Sequence, residues 1–215
     1  MIDCLAHQYS CSTYLMWNDK NHALLVDPGN NQNNRLLKHI EKLGLTIEAI
    51  LITHGHYDHI EALEEMLKAF PDATVYISED EVDVLSNPRY NLSFYGVGYT
   101  QKELNYIPNK LVKLTDEEVF EACGYSIKMI KTPFHTKGSA CYFIAKEGVL
   151  FSGDTLFKSS IGRTDLPSGS QRTIDESLSK LLSLDDEIKV YPGHGDITTM
   201  GREKKYNIYL NNSSK

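Results

Sequence analysis

The chain has 215 residues, 41% hydrophobic and 24% charged, which are the proportions of a globular protein and not of a disordered or fibrous one. Its net charge of −7 counts against a nucleic acid partner, because phosphate backbones are bound by clustered Lys and Arg. The opening MIDCLAHQYS has no basic run leading into an apolar core, and no apolar run nears the roughly 18 residues of a membrane span, so a cytoplasmic protein without a membrane partner is expected.

The length suits one domain over residues 1–215. Apolar runs alternate with helical patterns along it. Residues 12–17 and 22–26 read as strands, the second closed by the turn Asp27-Pro28-Gly29. Leu36, Leu37, Ile40 and Leu43 line one face of a helix over 33–43, which Gly44 stops. Residues 47–52 form a short apolar run of buried-strand type. Ile60, Leu63, Leu67 and Phe70 then share a helical face that ends before Pro71. A strand at 73–78 follows, then an irregular stretch over 86–108. Its rings Tyr90, Phe94, Tyr95, Tyr99 and Tyr106 are read as packing it onto the body, with a mobile lid as the other reading. Strands near 111–114, 126–131, 140–145 and 148–152, a helix at 171–183 and a strand at 188–191 complete the pattern. The class is α/β, with two mixed sheets covered by helices on their outer faces. Cys4, Cys11, Cys123 and Cys141 lack CxxC spacing and are expected as reduced thiols packed like small hydrophobes.

The chemistry concentrates in His54-Gly55-His56-Tyr57-Asp58-His59, at the end of the strand 47–52 and the start of a helix. Three imidazoles and a carboxylate within six residues suit a first-row divalent metal such as zinc, iron or manganese. In extended chain His54 and His56 point the same way, while Asp58 and His59 on the first helical turn can face a second point nearby. Four ligands in two directions imply two metals, and so further ligands later in the chain. His135 in TPFHT, Asp154 in FSGDT and His194 in YPGHG each follow a strand beside Gly or Pro, and they are the candidates. His39 reads as surface helix. His7 and His22 have no such setting.

These segments resemble the metallo-β-lactamase superfamily, and within it short bacterial glyoxalase II-like proteins. The matching segments are THGHYDH for the HxHxDH motif, TPFHTKGS, FSGDTLF and YPGHG, in the family's order from 53 to 194, with SIGRTDLP at 160–167 similar to the segment after the family's aspartate. The resemblance implies an αββα sandwich. It also implies His54, His56 and His135 on one metal and Asp58, His59 and His194 on the other, with Asp154 bridging them. The implied reaction is hydrolysis of a thioester such as a hydroxyacyl-glutathione by hydroxide held between two divalent ions, zinc first, with Asp58 orienting that nucleophile. Arg163 stands where the family carries a lysine and is a candidate cation for a substrate carboxylate. Phe134 stands where a small residue is usual, which would alter the wall beside His135. Few residues follow His194, short of the helical domain that supplies glutathione contacts in glyoxalase II proper. Persulfide dioxygenases resemble the same motifs and bind one iron through the equivalents of His54, His135 and Asp154. That mono-iron chemistry, or hydrolysis of another ester, lactone or β-lactam, is the alternative.

Overall fold

The computed structural model describes residues 1–5, 11–96 and 103–212. Two six-stranded sheets lie face to face. The first runs in spatial order from β1 (Ile2–Leu5) through β2 (Thr13–Trp17), β3 (His22–Val26), β4 (Thr46–Ile52) and β5 (Thr74–Ser78) to β6 (Leu111–Leu114). Strands β1 to β3 pair antiparallel and β3 to β6 parallel. The second sheet holds β7 (Val119–Ala122), β8 (Tyr125–Lys131), β9 (Ala140–Ile144), β10 (Val149–Gly153), β13 (Lys189–Pro192) and β14 (Thr198–Thr199), in the order β14-β13-β10-β9-β8-β7. A small ribbon of β11 (Leu156–Phe157) and β12 (Ser160–Ile161) stands beside it.

Period-two alternation sorts the side chains into layers. Leu24 and Val26 of β3 face the other sheet and pack with Met129, Tyr142 and Phe151. Ala23 and Leu25 turn outward onto α1 (Arg35–Leu43) and its neighbours, where Leu36 and Ile40 are buried. The second sheet does the same on its far side, burying Ile130, Leu150 and Val190 against Leu178 and Leu181 of α5 (Ile174–Leu182). Each such leucine or isoleucine is worth roughly 1.5–3 kcal/mol of burial. The layering is αββα, as the resemblance implies. Phe134 is fully buried in this last cluster, so it points away from the site and the expected change to the wall beside His135 does not occur.

The predicted helix through Ile60, Leu63, Leu67 and Phe70 is two pieces, α2 (Tyr57–Ile60) and α3 (Leu63–Ala69). The Ala62 N–H donates to Pro28 O, outside the helix, and the ladder breaks there. Several elements escaped the pattern reading: β1, β7, β14, the β11–β12 ribbon, the short α4 (Val82–Ser86), and α6 (Met200–Tyr206) with α7 (Ile208–Asn212). His39 is half-buried, with Nε2 at 2.8 Å from Asp3 Oδ2, and so ties α1 to β1. His22 pairs with Glu48 on the neighbouring strand. His7 and Tyr99 lie outside the described residues. All four cysteines are free, and burial pushes the Cys123 thiol up to about 12 and the Cys141 thiol up to about 11.

Candidate metal centre

Parallel β3, β4 and β5 end at one edge of the first sheet. In the second sheet β8 and β10 are both antiparallel to β9, and β13 is parallel to β10, so these three end at one edge as well. The segments after β4, β8, β10 and β13 carry the seven candidate residues, Asp58 and His59 on α2 and the rest in loops, in keeping with the rule that α/β sheets bind ligands at strand C-terminal ends. The structure brings all seven together. Ligand atoms of His54, His56 and His135 form one group, and those of Asp58, His59 and His194 a second, each within 4.8 Å of one another. The His54, His56 and His135 rings stand 4.7 to 4.8 Å apart, centroid to centroid. Asp154 lies between the groups, with Oδ2 at 3.5 Å from His135 Nε2 and 3.6 Å from His194 Nε2, and Oδ1 at 3.4 Å from His59 Nε2. Asp58 Oδ2 is 3.1 Å from His194 Nε2.

Contacts behind the cluster set which nitrogen faces it. His59 Nδ1 donates to Asp27 Oδ2 at 2.9 Å, which turns Nε2 toward the centre. His135 Nδ1 donates to the Arg163 carbonyl at 2.8 Å, with the same result. Thr53 Oγ1 donates to Asp27 Oδ2 at 2.6 Å and so is left to accept from His54 Nδ1 at 3.2 Å. Asp27 also accepts from Thr53 N at 2.8 Å. A second buried carboxylate, Glu81, joins two ligand loops. It accepts from Gly55 N at 2.8 Å, between His54 and His56, and from Thr136 Oγ1 and Gly138 N at 2.9 Å each, just past His135. Burial pushes Glu81 up to about 7, against those three donors. At Gly193 any Cβ would stand 2.3 Å from Asp154 Oδ1 and 2.7 Å from His59 Cε1, so the PGH turn needs glycine for its close approach.

The donors fit a divalent cation. Four buried polar atoms of the cluster have no hydrogen-bond partner, Nε2 of His54, His56 and His59 and Oδ1 of Asp154, and His56 meets His135 Nε2 through its other nitrogen, Nδ1, at 2.9 Å. Burial, reinforced by neighbouring rings, drives His54 well below the usual imidazole value and His56 down to about 3, which keeps both neutral and able to donate a lone pair. Burial would raise Asp154, but His59, His135 and His194 outweigh it and hold this carboxyl well below its usual range. Burial would lower His59 and His194, but Asp58 and Asp154 among their neighbours hold both above the usual imidazole value, so positive charge is drawn to the place where a dication would sit.

Sequence reasoning read Asp27 only as a turn residue and left Glu81 unmentioned. Asp27 had a signal: it follows β3, whose end lies on the same edge as β4. Arg163 lines the cavity over the cluster, and its guanidinium grips Asp165 through Nε (2.6 Å) and Nη2 (2.7 Å). Tyr90, Phe94 and Tyr95 are 41%, 45% and 61% exposed, so these three rings are not packed down as expected, and Tyr95 lines the cavity. Tyr106 is half-buried.

The fold, with a histidine and aspartate cluster at this edge, defines a metal-dependent hydrolase of the metallo-β-lactamase type. Residues 8–194 match the family model of the metallo-beta-lactamase superfamily, and the chain belongs to it. Hydroxyacylglutathione hydrolase GloC of Haemophilus influenzae is 32% identical over 215 residues, spanning 100% of this chain and 98% of the relative. Among solved structures, the BLEG-1 B3 metallo-beta-lactamase superposes with a TM-score of 0.87 at 34% identity, over 98% of this chain and 99% of that one. TTHA1623 in a di-iron-bound form gives 0.81 at 29% identity, over 97% and 99%.

Proposed function

We propose that the protein hydrolyses a thioester, such as a hydroxyacyl-glutathione, with two divalent ions. His54, His56 and His135 would hold one ion, Asp58, His59 and His194 the other, and Asp154 would touch both. Zinc is the first candidate, because neutral imidazole and carboxylate suit it well, and iron and manganese accept the same donors. When bound, such ions lower the pKa of water toward about 7 and polarise a carbonyl. The observation that carries the reading is the sharing of Asp154 between two three-residue groups, since a single-ion site would leave one group unused. Full-length similarity to GloC supports the thioester in particular.

The chain's own residues do the rest. Asp58, at the mouth of the second group, would accept a hydrogen bond from the attacking water and aim it at the carbonyl carbon. His59 and His135 keep Nε2 directed at the centre by donating backward to Asp27 and to the Arg163 carbonyl. A thiolate is a good leaving group, because a free thiol has a pKa of about 8.5, so no strong general acid is required. Arg163 is the candidate contact for a substrate carboxylate, provided it releases Asp165. The substrate is a small molecule, with neither nucleic acid nor membrane as partner. Among the described residues no helix is long and apolar enough to cross a membrane.

The test is elemental analysis of protein purified without added metal, together with hydrolysis of S-lactoylglutathione and of a simple S-acetyl thioester. Two ions per chain and turnover of either thioester are expected. One iron per chain with thiol-dependent oxygen uptake would establish the dioxygenase chemistry and sink this reading.

A further inference from the structure

Above the metal cluster a cavity of about 740 Å³ opens to solvent, a volume in the range that encloses a small-molecule ligand. Its floor is His56, Asp58, His135, Asp154 and His194, so a reacting carbonyl has to sit there. Its walls are Leu92, Tyr95, Phe157, Ile161, Leu166 and Pro167, which offer mostly hydrocarbon and ring surface. From these walls we infer that the preferred substrate is a thioester whose arm beyond the reacting carbonyl is uncharged and apolar. The inference rests on the thioesterase reading and narrows it.

The charge on the wall decides the matter. Arg163 is the one Lys or Arg among the described lining residues, and Asp165 already holds it in a two-pronged ion pair. A carrier such as glutathione brings two carboxylates and an ammonium group. Its charges would give up hydration against hydrocarbon and meet no unpaired Lys or Arg among the described lining residues, which is costly. An apolar arm does the reverse, because it displaces water from surfaces that gain by losing it. The arm can belong to the acyl group or to the leaving thiol, since both run from the same carbonyl. The chemistry is the same in either case. Water adds its oxygen to the carbonyl carbon, the carbon–sulfur bond breaks with its electron pair going to sulfur, and the thiol and the carboxylic acid share the two protons of water.

Two substrate series on the metal-loaded full chain separate the sources. One keeps N-acetylcysteamine as thiol and lengthens the acyl group from acetyl to octanoyl. The other keeps acetyl and lengthens an unbranched alkanethiol. In at least one series kcat/KM should climb about two- to fourfold per methylene and overtake S-lactoylglutathione. The series that climbs names the side that fills the cavity. Two flat series, or S-lactoylglutathione ahead of every apolar thioester, would overturn the inference while leaving the thioesterase reading intact. No hydrolysis of any thioester removes that reading itself. Leu166→Asp, at a half-buried loop position, should cut the octanoyl-to-acetyl ratio of kcat/KM at least about tenfold, mainly through KM. An unchanged ratio in that variant also counts against the apolar wall.

Discussion

On the floor of the cavity, side chains are fixed from behind as well as in front. His59 leans on Asp27, His135 on the Arg163 carbonyl and His54 on Thr53, and Glu81 ties the His54–His56 loop to the His135 loop. The walls are built another way. Leu166 and Pro167 stand in a loop, Tyr95 is largely exposed, and the Arg163 guanidinium is held, among the described residues, by its exposed neighbour Asp165. The floor is over-determined and the walls are not, so the chemistry is hard to change while the choice of substrate can drift by single substitutions.

That contrast can be broken at the floor first. Asp154→Ala should lower kcat/KM by about a thousandfold or more and reduce bound metal, because it removes the carboxylate that lies between the two donor groups. Steady-state kinetics and elemental analysis would show it, and a variant with near-normal turnover would refute the two-ion arrangement. Asp27→Asn leaves the cluster itself untouched but weakens the acceptor behind His59. It should cost 10- to 100-fold in metal affinity or activity, as read by competition with a chelator.

Glu81→Gln is a milder change. One amide hydrogen pair must face Gly55 N–H or the Thr136 and Gly138 donors, so metal affinity at pH 8 should fall by about tenfold. The same residue has a pH signature. Burial raises its folded pKa from the usual 4.5 to about 7, so between those pH values the folded state binds more protons than the unfolded one. Stability of the metal-free protein should therefore fall as pH rises through that window, by up to ~1.4 kcal/mol per pH unit from this group. Denaturant titrations of wild type and Glu81→Gln should differ by that slope, and equal slopes would show that Glu81 does not titrate there.

The smallest effect belongs to the wall. Asp165→Asn frees Arg163 at an exposed position, so the melting temperature should not move. Relative kcat/KM for a carboxylate-bearing thioester should rise a few fold. No change in that preference would mean that Arg163 takes no part in selection.

What could be read from the residues follows the same division. Strands β2 to β6, β8 to β10 and β13 were evident because their apolar runs are bounded by turn residues, and the seven cluster residues because motif spacing is local. The late helix α6, MGREKKY, was not evident. It buries only Met200 and Glu203 and starts from a Thr199 cap, so it shows no apolar stripe. Asp27 and Glu81 act on residues 26 or more positions away, and no local pattern marks such a carboxylate as part of a site. Arg163 shows what residue type alone conveys. Its cation was the feature read from the chain, yet its main-chain oxygen is what orients His135.

The two candidate donor groups each draw on both sheets: His54 and His56 meet His135, and Asp58 and His59 meet His194. Hydrogen bonds stitch the sheets along this seam, from Tyr14 Oη to the Pro192 carbonyl, from Ser12 N to the Gly193 carbonyl and from Ala140 N to the Thr53 carbonyl. A chain divided in the exposed turn at 115–117, between β6 and β7, would leave each fragment with one sheet and with neither donor group complete. The reaction would then belong to the pair of fragments and to neither alone, so turnover would measure how well two separately made halves find each other.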